Sequence, residues 1–138
     1  MKKEVMITVD SKQEHPDKDA DIYNFVTEGS FYKEEDNYYI SYDESNLTGM
    51  EGTTTTFKIE PNSVTLIRFG SVSSLMVFEK GRRHVSEYNT EHGTFEIGIM
   101  AQNLSVDLDD LGGHINVEYV IEVNNQVASY TTFDLKVQ

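Results

Sequence analysis

Four histidines and a surplus of carboxylates set the chemistry open to this chain. His84, His92 and His114 are candidate metal ligands by type. None of them stands at ligand spacing to another, such as a histidine pair on one helical face, so they read as unrelated surface or core residues. Asp107, Asp109, Gly112 and Glu118 fall at positions one, three, six and twelve of a calcium-loop count. Position five should offer an oxygen and holds Leu111, and 115–123 alternates like a strand where a helix should leave, so the segment reads as an acidic turn. Serine, histidine and aspartate are all present, but no Gly-x-Ser-x-Gly elbow and no glycine-rich phosphate loop occurs. Glu34-Glu35 and Asp109-Asp110 sit at turn positions, where solvation accounts for them. The absence of cysteine removes thiolate nucleophiles, disulfides and thiolate-held metals. No catalytic residue, metal site or cofactor is assigned, and the chain reads as a non-enzyme.

One cation stands out by its neighbours. Arg68 shares a strand face with Val64 and Leu66, so a guanidinium follows two core-type residues along one wall. If that face points inward the charge needs a partner, because an unpaired ion in a low dielectric is costly. The partners on offer are Glu28, on the face of Ile22 and Val26, and the polar face His84, Ser86 and Tyr88 of a neighbouring strand. Two readings follow. An internal Arg68–Glu28 pair fixes strand register and binds nothing, or Arg68 receives an anionic or carbonyl-bearing ligand. In the second reading His84 and Tyr88 are hydrogen-bonding neighbours and Tyr42 lines the wall.

The elements that must position these residues are strands. Period two is clearest near the end, where Ile115, Val117, Tyr119, Ile121 and Val123 oppose Asn116, Glu118 and Glu122. Asn124-Asn125 follows, and asparagine tolerates the positive φ of a tight hairpin. Val127, Ser129, Thr131, Phe133, Leu135 and Val137 then form the returning face. Residues 3–10, 22–32, 38–44, 53–60, 63–70, 72–80, 83–90 and 94–101 also read as strands, and 104–109 as a further short one. Turn chemistry separates them at Glu35-Asp36-Asn37, Pro61-Asn62, Gly70-Ser71, Lys80-Gly81, Glu91-His92-Gly93 and Gly112-Gly113. Residues 15–21 and 44–52 read as loops, the second with room for one helical turn capped by Ser45 or Asn46. No helical period persists. About ten strands with hairpin-length links predict one domain over 1–138, an all-β, closed antiparallel β-barrel of the meander type.

Composition limits the partners. Asp and Glu number 24 against 11 Lys and Arg, a formal charge of −13. That sign repels nucleic-acid phosphates and anionic membranes, and the only basic cluster, Lys80, Arg82 and Arg83, sits at one hairpin tip. The apolar run Val5–Val9, interrupted by Asp10, is too short for a signal core or a membrane span. With no cysteine, the expected location is the cytoplasm.

Several short motifs recur together: Gly29, Phe31-Tyr32, Tyr38-Tyr39-Ile40, Tyr42 and Glu44, then the run Leu47-Thr48-Gly49-Met50-Glu51-Gly52 into Thr53–Thr56. With Phe78-Glu79, Gly81, His84 and Gly112-Gly113, the chain resembles the YwiB-like family of small uncharacterised bacterial proteins along essentially its whole length. The resemblance implies a lipocalin-like, calycin-type barrel and no activity. Two functional readings remain, a barrel that binds a small molecule in its lumen, or an interaction module or homodimer with a packed lumen. The second rests on residues 63–80, where Val64–Phe69 and Leu75–Phe78 are apolar on both faces. Their outer face must be covered by a loop or short helix of the same chain, or by a second copy.

Overall fold

A computed structural model describes residues 2–71, 73–90 and 93–138, the side chains of residues 88–90 excepted. Ten antiparallel strands follow one another: β1 (Lys2–Glu14), β2 (Asp21–Glu34), β3 (Asn37–Asp43), β4 (Thr53–Ile59), β5 (Val64–Gly70), β6 (Ser73–Phe78), β7 (Arg83–Thr90), β8 (Gly93–Asp109), β9 (Gly112–Val123) and β10 (Gln126–Val137). Each pairs with its sequence neighbour, and β1 pairs with β10 to close the barrel. The meander and its closure are those the turn spacing predicts.

Alternation decides which side chains go inward. Ile7, Phe31, Ile40, Phe57, Val64, Phe78, Ile99, Ile115 and Leu135 are fully buried on the inner face. Each such side chain contributes about 1.5–3 kcal/mol through burial. Two pairs of left-handed residues make the tightest hairpins. Asn124 and Asn125 both have positive φ, as the sequence predicts, and so do Glu35 and Asp36 at the β2–β3 turn. The acidic segment 107–112 is the tip of the β8–β9 hairpin, turning at Asp110-Leu111, with the Asp109 carboxylate accepting from the Leu111 amide at 2.8 Å. Gly113 stands where an added Cβ would strike the Asp107 carbonyl, which explains a glycine in the opposing strand.

The structure departs from the sequence reading in three places. Residues 94–101 and 104–109 are one strand, β8, because a bulge between Ala101 and Asn103 absorbs the break in alternation. β1 runs past Asp10 to Glu14, with Ser11 and Gln13 keeping the inward parity of Val5, Ile7 and Val9 although they are polar. The outer face of β5–β6 is open: Phe69 is 77% and Leu75 48% exposed, while Ile67 and Val77 are half-buried. Among the described residues, therefore, no loop or helix of the same chain covers it. The β6–β7 ladder is also short. Among the described residues only Ser73↔Asn89 and Ser74↔Tyr88 pair between these strands, with one more bridge, Glu79↔Arg82, in their link, while β7 pairs with β8 from Arg83 to Thr90.

Candidate functional site

Odd-numbered strands all run the same way in this meander, so one end of the barrel gathers the β1–β2, β3–β4, β5–β6, β7–β8 and β9–β10 links. A cavity of about 310 Å³ occupies the lumen on that side. Its deeper wall is apolar, with Val9, Phe57, Leu66, Phe78, Val117 and Phe133. Toward the links it becomes polar, with Ser11, Gln13, Tyr23, Glu44, Thr48 and Arg68. The polar tail of β1 is thus the rim of this cavity.

Register brings Arg68 into the lumen. Residues directly opposite in antiparallel strands share a face. The row Tyr42↔Thr55↔Arg68↔Ser74↔Tyr88 crosses five strands, and Thr55 within it is fully buried. The carboxylate that meets Arg68 is Glu44, whose Oε2 lies 3.9 Å from Nε. Glu44 is itself engaged by the polar β3–β4 link. The Thr48 hydroxyl donates to its Oε1 at 3.1 Å and the Thr55 hydroxyl donates to Oε2. In that link the Ser45 hydroxyl accepts from the Leu47 amide and caps a single turn over 46–49, the place where the sequence leaves room for one.

Arg68 makes no hydrogen bond among the described residues. Its Nε–H is buried without an acceptor, and the Ser74 hydroxyl next to it in the row is buried without a partner among them too. Two tyrosines flank the same space. Burial pushes the Tyr42 phenol well above its ordinary value of 10.0, the Glu44 charge adds to this, and Arg68 partly opposes it. Burial raises Tyr119 likewise, with Arg68 pulling the other way. Both phenols stay neutral at physiological pH, able to donate as well as accept.

The residues singled out from sequence fare unequally. Arg68 and Tyr42 line the cavity. Glu28 does not reach it. Its strand turns Tyr23, Phe25 and Phe31 inward, which leaves Ile22, Val26 and Glu28 outward, so the apolar pair Ile22 and Val26 marks the solvent face. His84 faces inward opposite Ile99 but near the far end of the barrel, four residues and about 13 Å along β7 from Tyr88. There its Nε2 lies 3.3 Å from Glu79 Oε1. Ser86 is half-buried between the two ends and does not line the cavity. The backbone of Tyr88 sits in the Arg68 row, while its side chain lies outside the described residues, as does His92. His114 pairs with Asp134 at 3.0 Å, on the outer face and apart from His84. Among the described residues no three His, Cys, Asp or Glu side chains gather as metal ligands. The sequence reading missed Glu44, although the parity that turns Ile40 and Tyr42 inward carries on to it.

Three comparisons bear on this arrangement. A family model described as a domain of unknown function, DUF1934, matches residues 7–135. The chain is 27% identical over 127 residues to the uncharacterized beta-barrel protein YwiB of Bacillus subtilis (strain 168), covering 91% of this chain and 88% of that protein. The crystal structure of the ywiB protein from Bacillus subtilis superposes with a TM-score of 0.86 at 22% identity, covering 99% of this chain and 92% of that one.

Proposed function

Because this chain belongs to the DUF1934 family of uncharacterised β-barrel proteins, whose name carries no activity, we propose a function from its lumen: it binds a small molecule there. The observation that carries this reading is Arg68. A guanidinium whose Nε–H is buried and unsatisfied is costly in a finished core and useful in a site awaiting an acceptor. The cavity around it is at the small end of the range for ligand pockets, apolar along most of its depth and polar at one rim. Small lipocalin-like barrels have room for one such ligand, although fold alone argues nothing about which. The cysteine-free composition favours a cytoplasmic setting. No helix among the described residues is long and apolar enough to cross a membrane.

Native mass spectrometry of the protein purified from its own host tests the proposal. A non-covalent adduct should accompany the wild type and disappear in Arg68→Met. Bare protein mass for both would overturn it.

A second reading rests on a separate observation. The open outer face of β5–β6 carries Ile67, Phe69, Leu75 and Val77 with no charged side chain among them, on a protein otherwise strongly acidic. We propose that a second copy covers this face, which is compatible with a ligand in the lumen.

A further inference from the structure

The electrostatics of the rim narrow the ligand further, on the premise that the lumen is a binding site. Glu44 and Arg68 form a pair of net charge zero, but the two partners are satisfied to different degrees. Glu44 accepts from the Thr48 and Thr55 hydroxyls, one on each carboxylate oxygen. Arg68 approaches it only at 3.9 Å and uses none of its donors in a hydrogen bond among the described residues. The pair is therefore balanced in charge and unbalanced in hydrogen bonding. What the site lacks is an acceptor, not an anion.

An anionic ligand would bring a second carboxylate to a cation that already has one. The cavity would then hold a net negative charge at low dielectric, within a protein of formal charge −13. A neutral carbonyl or amide oxygen satisfies the same N–H groups and leaves the site uncharged. The neutral phenols of Tyr42 and Tyr119 add donors without adding charge. Beyond them the wall is aromatic: Phe25 meets Tyr42 edge-on at 6.1 Å, and Phe57 lies 5.4 Å from Phe133. Flat rings packed in this way accept a flat apolar body by stacking or edge contact. The volume of about 310 Å³ equals that of about ten water molecules, enough for one or two fused rings.

We infer that the lumen selects a neutral, planar, carbonyl-bearing molecule and discriminates against its carboxylate counterpart, with Arg68 taking the carbonyl oxygen and Glu44 supplying the discrimination.

Two probes of equal shape test this on the full chain, 2-naphthamide and 2-naphthoate, followed by titration of backbone amide resonances. The amide should perturb residues of β3, β5 and β9 around the cavity, and the carboxylate should bind more weakly by about tenfold or more. In Glu44→Gln, which keeps the shape and removes the charge, the preference should reverse toward naphthoate. The wild-type ratio alone decides the matter if that variant fails to fold. Equal or tighter binding of naphthoate to the wild type overturns the inference of a neutral ligand and leaves the lumen as a binding site. If neither probe shifts these residues the inference also falls. An adduct in the native mass spectrum would then preserve the lumen reading, and bare mass would end both.

Discussion

At the scale of single residues, the site turns on how unevenly Glu44 and Arg68 are held. Glu44 has a side chain 2% exposed and two hydroxyl donors, whereas Arg68 has a loose ion pair and no hydrogen bond among the described residues. Glu44→Ala should therefore cost about 3 kcal/mol in urea denaturation, since it strands a buried guanidinium and two hydroxyls. Arg68→Met leaves the Glu44 carboxylate without its counter-charge but with both hydroxyl donors, and it removes an unsatisfied buried donor, so it should cost less, about 1–2 kcal/mol. Similar losses on both sides would mark a purely structural pair. Tyr42 gives a pH dependence. Its phenol is raised in the folded protein, so between 10.0 and that higher value the unfolded chain has released a proton that the folded one retains. Its contribution to stability is full below 10.0 and falls as pH rises above it, by up to about 1.4 kcal/mol per pH unit from this group. Tyr42→Phe should flatten the alkaline limb of a stability–pH curve by that slope. Tyr119 adds a fall of the same sign, which remains in the variant.

At the scale of elements, strands are legible wherever alternation survives and obscure where polar residues point inward. Hydrophobic parity finds β9 and β10 and places Asn124-Asn125 in a left-handed turn. It stops short on β1, because Ser11 and Gln13 face a wet rim and not a core. It divides β8 in two, because a bulge shifts the parity. On β2 the exposed Ile22 and Val26 resemble a buried face, which is why Glu28 reads from sequence as a partner for Arg68. The row that joins Tyr42, Thr55, Arg68 and Ser74 depends on inter-strand register, which no single segment encodes. The β2–β3 turn makes an element-scale prediction. Glu35 and Asp36 both hold positive φ, and neither is the asparagine or glycine that such a turn favours. The double variant Glu35→Asn with Asp36→Gly should raise stability by about 0.5–1 kcal/mol in chemical denaturation and leave the lumen unchanged.

At the scale of the whole molecule, charge and surface work against each other. A formal charge of −13 keeps copies apart, while Phe69 and Leu75 leave an apolar, uncharged window on the β5–β6 wall. A twofold contact there brings the same window of each copy together, and a stable one buries about 1,200 Å² or more in total. Sedimentation velocity should show a dimer that Ile67→Glu or Val77→Glu shifts toward monomer, and added salt should strengthen the wild-type association. A wild type that sediments as a monomer at every concentration disproves it. The wall beside that window is unevenly built. A ladder from Ile7↔Val137 to Glu14↔Tyr130 locks β1 to β10 where the chain's two ends meet, whereas among the described residues only Ser73↔Asn89 and Ser74↔Tyr88 join β6 to β7. The shorter ladder, backed among these residues only by the Glu79↔Arg82 bridge in its link, is where local opening is expected, and amide hydrogen exchange should be faster in β6 and β7 than in β1 and β10. If the wall parts there, the barrel stays bound at its β1–β10 spine, and a molecule too wide for the rim gains a second way in.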